Sequence, residues 1–204
     1  MSSTTATRPA AGRGAPRRRG AVLQQAILAA ALEQLREVGY AGLTMESVAA
    51  AAGTGKAALY HRWPNKDALV TEALGSVLPD PAAVPAGDDP VAEVRAVLRT
   101  MRDAMDFTHD HAFQSVKQQA GAAAADFLHV MVQQRVMDPC RQRILDTLER
   151  GCAAGVLRPG SANERVAAVG PAMLIQYAVT VAPTVPDDYV EAVVEDVIRP
   201  LIEP

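Results

Sequence analysis

Between Gly39 and Lys66 the chain interrupts helical continuation at Gly39, at Gly53-Thr54-Gly55 and at Pro64. Glycine admits the positive φ on which helices end, and proline removes the amide that would continue one. Whatever forms between these stops must be short. Thr44 is placed to N-cap a helix reading MESVAAAA, with Glu46 in its first turn facing the positive end of the dipole. A second short helix is predicted from Lys56 to about Arg62, and Asn65 caps a longer one reaching about Leu78. Ahead of them, Leu23, Ile27, Ala31, Leu35 and Val38 lie on one stripe of a helix that starts near Gly20 and closes at Gly39.

The remainder also reads as helix. Alanine is abundant, aromatics are 4% of the 204 residues, and alternating β-branched runs are almost absent, so a sheet of any size is excluded. Residues 79–90, PDPAAVPAGDDP, form a linker or rigid loop. Val91, Val94, Leu98, Met101 and Met105 then mark one face of a fifth helix. A short helix is predicted over His111–Gln119 and a long one over about Asp126–Cys152, interrupted by Pro139. After the turn GVLRPGS, residues 162–181 and 187–202 complete the set. The fold class is all-α: residues 1–16 are a disordered arm, 17–77 a small N-terminal head, and 78–204 a helical body. The fourth helix is expected to be the only covalent and packed link between head and body.

No run of about 18 uncharged apolar residues exists to span a membrane, and no apolar segment follows the N-terminal arginines as a secretory signal would require. A soluble cytoplasmic protein is expected. Cys140 and Cys152 are about 18 Å apart if they share one helix, too far for a disulfide, and no CxxC is present, so both are expected as free thiols. The net charge is −3, but it is unevenly placed. Residues 1–70 carry nine Lys/Arg against four Asp/Glu, and residues 71–204 carry eleven against nineteen. A basic head on an acidic body suggests separate tasks.

Two short helices joined by a Gly-containing turn are the pattern of a helix-turn-helix, whose second helix enters the DNA major groove. An ordinary helical hairpin would satisfy the same spacing. The face of the second helix favours DNA: Lys56, Tyr60 and His61 gather on one side, while Leu59 and Trp63 point inward. Lys66 lies at the start of the next helix, where a cation and free backbone amides can meet a phosphate. At this point the stretch LTMESVAAAAGTGKAALYHRWPNKDALV resembles the tetracycline-repressor (TetR) family of transcription regulators, with residues 17–77 fitting its DNA-binding domain. ERGCAAGVLRPG is similar to a join before the dimerisation helices in one branch of that family. The resemblance implies a homodimer on pseudo-palindromic operator DNA, released by a small-molecule effector, without a cofactor. It also implies phosphate contacts from Thr44, Lys56 and Tyr60, a groove contact from His61 and a backbone clamp at Lys66. Thr54-Gly55 and Ala58 depart from the family pattern, so Gly55 offers close backbone approach and Ala57 only methyl contact. Arg17, Arg18 and Arg19 are read as a DNA-contacting arm.

In the body, Met101, Met105, Phe113, Phe127, Met131, Met173 and Tyr177 are candidates to line a pocket for an apolar effector, with Gln114, Lys117, Gln134 and Gln176 as polar anchors. Val166 and Val169, with Val190, Val194, Val197 and Ile198, are candidates for a four-helix dimer interface. An alternative reading, a metal-dependent enzyme or sensor, rests on Asp106, His109, Asp110 and His111. That reading lacks a nucleophile, a Gly-rich phosphate loop or paired carboxylates at a defined motif.

Overall fold

The structure, a computed structural model, describes residues 15–204, with the side chains of 15–19, 121–125 and 127 outside the description. The predicted arm at 1–14 therefore lies outside the described residues. Helix α1 (Ala15–Gly42) begins earlier than its apolar stripe suggested and takes in the backbone of Arg17 to Arg19. Its regular part ends at Gly39, whose φ of 69° and ψ of 179° are open essentially to glycine alone. Then come α2 (Met45–Ala51), α3 (Lys56–Tyr60) and α4 (Lys66–Val77). The buried stripe Ile27, Ala31 and Leu35 of α1 meets Leu43, Val48, Leu59, Trp63 and Leu69 to form the core of the head.

A short 3-10 turn at Pro81–Ala83 leads into the body: α5 (Pro90–Phe107), α6 (His111–Gln119), α7 (Gly121–Val132), α8 (Asp138–Ala153), α9 (Glu164–Thr180), α10 (Asp187–Ala192) and α11 (Arg199–Ile202). Among the described residues there is no strand, and no helix is long and apolar enough to cross a membrane. Pro139 does not break the long helix as expected. The backbone widens into a π-turn at Gln133–Met137, and Pro139 enters the first turn of α8 beyond it. Pro200 follows the π-turn Val193–Ile198 in the same way. A proline removes one helical hydrogen bond and crowds the preceding turn, and a widened turn absorbs both effects without ending the helix.

Two further expectations need correction. Val190, Val194 and Ile198 are buried within the chain itself, against α5 and α9, so they belong to its core and offer no surface to a second copy. Val166, Val169 and Val197 are half-buried. Nor is α4 the only packed link between head and body. Helix α6 lies along α1, and Gln119 Oε1 accepts a hydrogen bond from the Ala41 amide at 2.9 Å. Both cysteines are free, as expected. Cys140 is buried beside Met101 Sδ at 3.6 Å, and burial pushes its thiol up to about 12.

Helices α5 and α8 are joined by a buried carboxylate. Glu93, with its side chain 2% exposed, receives Arg143 Nη2 and Arg150 Nη2 at 2.6 Å on Oε1. Thr147 Oγ1 at 2.5 Å also donates to Oε1, and the Gly87 amide at 3.0 Å donates to Oε2. Burial works to raise the pKa of its carboxyl, but the hydrogen bonds from Arg150, Thr147 and Gly87, with the charge of Arg143, hold it below the ordinary range. A buried ion pair that loses one partner leaves the other charge uncompensated. Glu93→Ala is therefore expected to destabilise the fold by about 3–5 kcal/mol in denaturant titrations. Because the folded-state value is depressed, the stabilisation is complete above about 4.5 and is lost as pH falls below it. The stability gap between wild type and Glu93→Gln should accordingly narrow in acid, and a gap independent of pH would contradict this role.

Candidate nucleic-acid interface

Thr44 performs the cap expected of it. Its Oγ1 accepts from the Ser47 amide at 3.1 Å, and Ser47 Oγ accepts from the Thr44 amide at 3.2 Å, so two free donors at the start of α2 are satisfied reciprocally. The turn into α3 passes through Gly53 at φ 63°. Gly55 is different: its φ of −84° suits any residue, and a Cβ built there would meet nothing within 4 Å. Among the described residues nothing calls for glycine at that position.

Helix α3 is five residues long and cannot hold itself in place by backbone bonds alone. Leu59 is fully buried and Trp63 is 3% exposed, so together they anchor the segment to the core. The indole Nε1 of Trp63 donates to Glu72 Oε2 at 2.7 Å, and Gln24 Nε2 donates to Glu72 Oε1 at 2.6 Å. One carboxylate on α4 thus fixes the end of α3 against α1. Arg62 Nη1 adds a bond to the Gly20 carbonyl at 3.1 Å. With that side fixed, Gly55, Lys56, Ala57, Tyr60 and His61 all face solvent, Tyr60 with 44% of its surface exposed.

The cations at this face are partly engaged already. Lys56 forms an ion pair with Glu46 of α2 and lies 5.6 Å from the Tyr60 ring centroid. The contact holds the Glu46 carboxyl below its usual range and the Lys56 ammonium above its own. Lys66 Nζ donates to the Tyr40 carbonyl at 2.9 Å and sits 4.1 Å from that ring. The Tyr40 hydroxyl is bonded to Asp67, and burial followed by this carboxylate pushes it up to about 12. Lys66 therefore closes the end of α1 in addition to standing at the start of α4. The side chains of Arg17, Arg18 and Arg19 lie outside the described residues. The roles of Glu72, Arg62 and Gln119, and the pairing of Glu46 with Lys56, escaped the sequence reading because each depends on a partner from another helix.

The body residues separate into several groups. Met101 is fully buried and packs in the core beside Cys140. Phe113 and Met131 are nearly buried, Met105, Met173 and Tyr177 are half-buried, and the Phe127 side chain lies outside the description. Tyr177 packs on Tyr189 of α10 with ring centroids 4.4 Å apart. The Asp106, His109, Asp110 and His111 group is not brought together as a set of ligands. Asp110 accepts from the Ala112 amide as the N-cap of α6, and His111 is exposed. Among the described residues, no three His, Cys, Asp or Glu side chains converge to hold a metal.

Residues 27–73 match the family model of the bacterial regulatory proteins, tetR family. YdeS of Bacillus subtilis, described as an uncharacterized HTH-type transcriptional regulator, is 30% identical over 147 residues, 72% of each chain. The chain belongs to the TetR family of transcriptional regulators. Its fold is also that of solved TetR-type proteins. The regulator SCO0332 aligns with a TM-score of 0.58 at 27% identity, covering 86% of this chain and 96% of that one. SmeT, solved in complex with triclosan, aligns at 0.53 and 20% identity over 90% of this chain and 92% of its own. Family membership makes the solvent-facing side of α3 the part of the head to test against DNA. Glu46→Gln should release Lys56 and remove a negative charge beside it, tightening DNA binding several-fold at low salt in fluorescence anisotropy titrations. Unchanged or weaker binding would show that Lys56 does not meet phosphate.

Proposed function

We propose that this TetR-family regulator is a homodimeric repressor that binds a pseudo-palindromic operator through α3 and leaves it on binding a small molecule. The observation that carries the reading is the α3 face itself. A five-residue helix is anchored by Leu59 and Trp63 while Tyr60, His61, Lys56 and Ala57 stay free of the core. Open space at Gly55 lets the backbone approach a phosphate more closely than any side chain would allow. Thr44 and Lys66, at the starts of α2 and α4, then flank α3 as phosphate contacts, and Arg17, Arg18 and Arg19 extend the basic surface.

Dimerisation is assigned to the outer face of α9 rather than to the buried valines. Ala172, Ile175 and Val179 are exposed at helical spacing, with Val179 78% accessible, and Val181 at 65% continues the patch. Half-buried Val166 and Val169 continue the same face of α9 toward its start, and Val197 is also half-buried. An apolar row of this kind on a helix suits an isologous two-fold contact. Effector action follows the contacts of the head: α4 and α6 both touch α1, so a ligand that moves either helix changes how the two heads are spaced. Such a ligand acts only through its different affinity for the two states. SmeT, of the same fold, accommodates triclosan, which supports a body able to take small molecules.

DNA selected from random sequence by the pure protein should contain two related half-sites about 34–36 Å apart. Tyr60→Ala should weaken binding to that DNA and to unrelated DNA about equally, as loss of a phosphate contact does. His61→Ala should narrow the difference between them. Selection that enriches no sequence, or variants that bind as wild type does, would reject the assignment of α3. Ile175→Glu with Val179→Glu should give a folded monomer in analytical ultracentrifugation, whereas Val194→Glu should lose helicity. A double variant that still sediments as a dimer would move the interface elsewhere.

A further inference from the structure

We infer that a cleft between α6 and α7 is a binding site for a small monoanionic ligand with an apolar body, such as an arylalkyl carboxylate. This deepens the ligand-responsive reading above and rests on it. The cleft measures about 260 Å³ and is lined by Thr108, His109, Phe113, Gln114, Lys117, Leu128, His129 and Val132. Its chemistry is divided. Phe113, Leu128 and Val132 form an apolar floor, the first two almost wholly buried. Lys117, His109 and His129 stand exposed at the rim, and among the described residues no acidic side chain lines the cleft.

Asp110 caps α6 through the Ala112 amide and lies 4.0 Å from Arg36 of α1. Asp106 has an Oδ1 atom that is buried without a hydrogen-bond partner, and burial raises its carboxyl above the usual range. Gln114 is held across the cleft wall by its Nε2 bond to the Thr108 carbonyl at 2.8 Å. The Lys117 ammonium beside an apolar floor opposes a cation and suits an anion whose carboxylate reaches Lys117 while its body covers Phe113 and Leu128.

The site also has a route to the head. Lys117 is two residues from Gln119, which holds the Ala41 amide at the end of α1. An occupant joining Lys117 to α7 would bear on the helix that contacts α1.

The probe is 3-phenylpropionate, compared with its neutral isostere 3-phenylpropanamide, titrated into the full chain by calorimetry. The carboxylate is expected to bind at least tenfold tighter than the amide. Lys117→Met keeps the length of an exposed side chain and should weaken carboxylate binding about tenfold while leaving the amide unchanged. Val132→Trp, which fills the floor, should remove binding of both. No binding of 3-phenylpropionate at low millimolar concentration, equal affinity for the amide, or wild-type affinity in Lys117→Met would overturn the proposal. Titration in the presence of selected operator DNA separates this result from the wider reading. Carboxylate binding that depends on Lys117 establishes the cleft whether or not DNA is released, and failure to release DNA counts against ligand response alone.

Discussion

The arrangement of the head depends on the Glu72 carboxylate of α4, which accepts Trp63 on one oxygen and Gln24 on the other. Helix α3 is too short to persist without tertiary support, so its direction is set by where Leu59 and Trp63 enter the core. Glu72 fixes the indole by its nitrogen and ties that point to α1 at the same time. Everything on the outer side, from Lys56 to His61, takes its position from this anchoring on the inner side. A polar bond in that place also specifies orientation, because a rotated indole would leave a donor and an acceptor unmatched in a partly buried site.

The body holds its shape by a different means. Aromatic side chains are few, and charged pairs join helices that are distant in sequence. Glu93 gathers Arg143 and Arg150 between α5 and α8. Along the other side of α5, Arg95, Arg99 and Arg102 meet Asp187, Glu191 and Glu195 of the C-terminal segment. Exposed pairs of this kind contribute little singly, but a connected row favours one register of the two helices. Helices α4 and α6 then meet the head from this fixed frame, which is what a movement between two states requires.

Local chemistry was the legible part of the sequence. Thr44 and Asn65 cap where they were expected to, Gly39 ends the regular part of α1, and α6 spans His111–Gln119 as predicted. Each of these signals lies within a few residues of the element it controls. What escaped notice was long-range or subtle. The π-turns before Pro139 and Pro200 are adjustments of backbone width that composition does not report. The alanine-rich start of α7 carries no amphipathic period to place its end. The C-terminal valines were read correctly as apolar but given the wrong partner, since an apolar stripe looks the same whether it faces its own chain or another. On the outer side of α3 the exposed residues were legible, whereas the Glu46 and Tyr40 partners of Lys56 and Lys66 come from other helices.

The claim beneath this account is that α3, held by Trp63 and Glu72, is the element placed in the major groove. Hydroxyl-radical footprinting of the full chain on its selected DNA tests it most directly, with methylation interference at guanine N7 on the same fragment. The account predicts two protected segments one helical turn apart on one face of the duplex, with interference confined to the major groove between protected phosphates. A single protected segment, or protection without any major-groove interference, would contradict it.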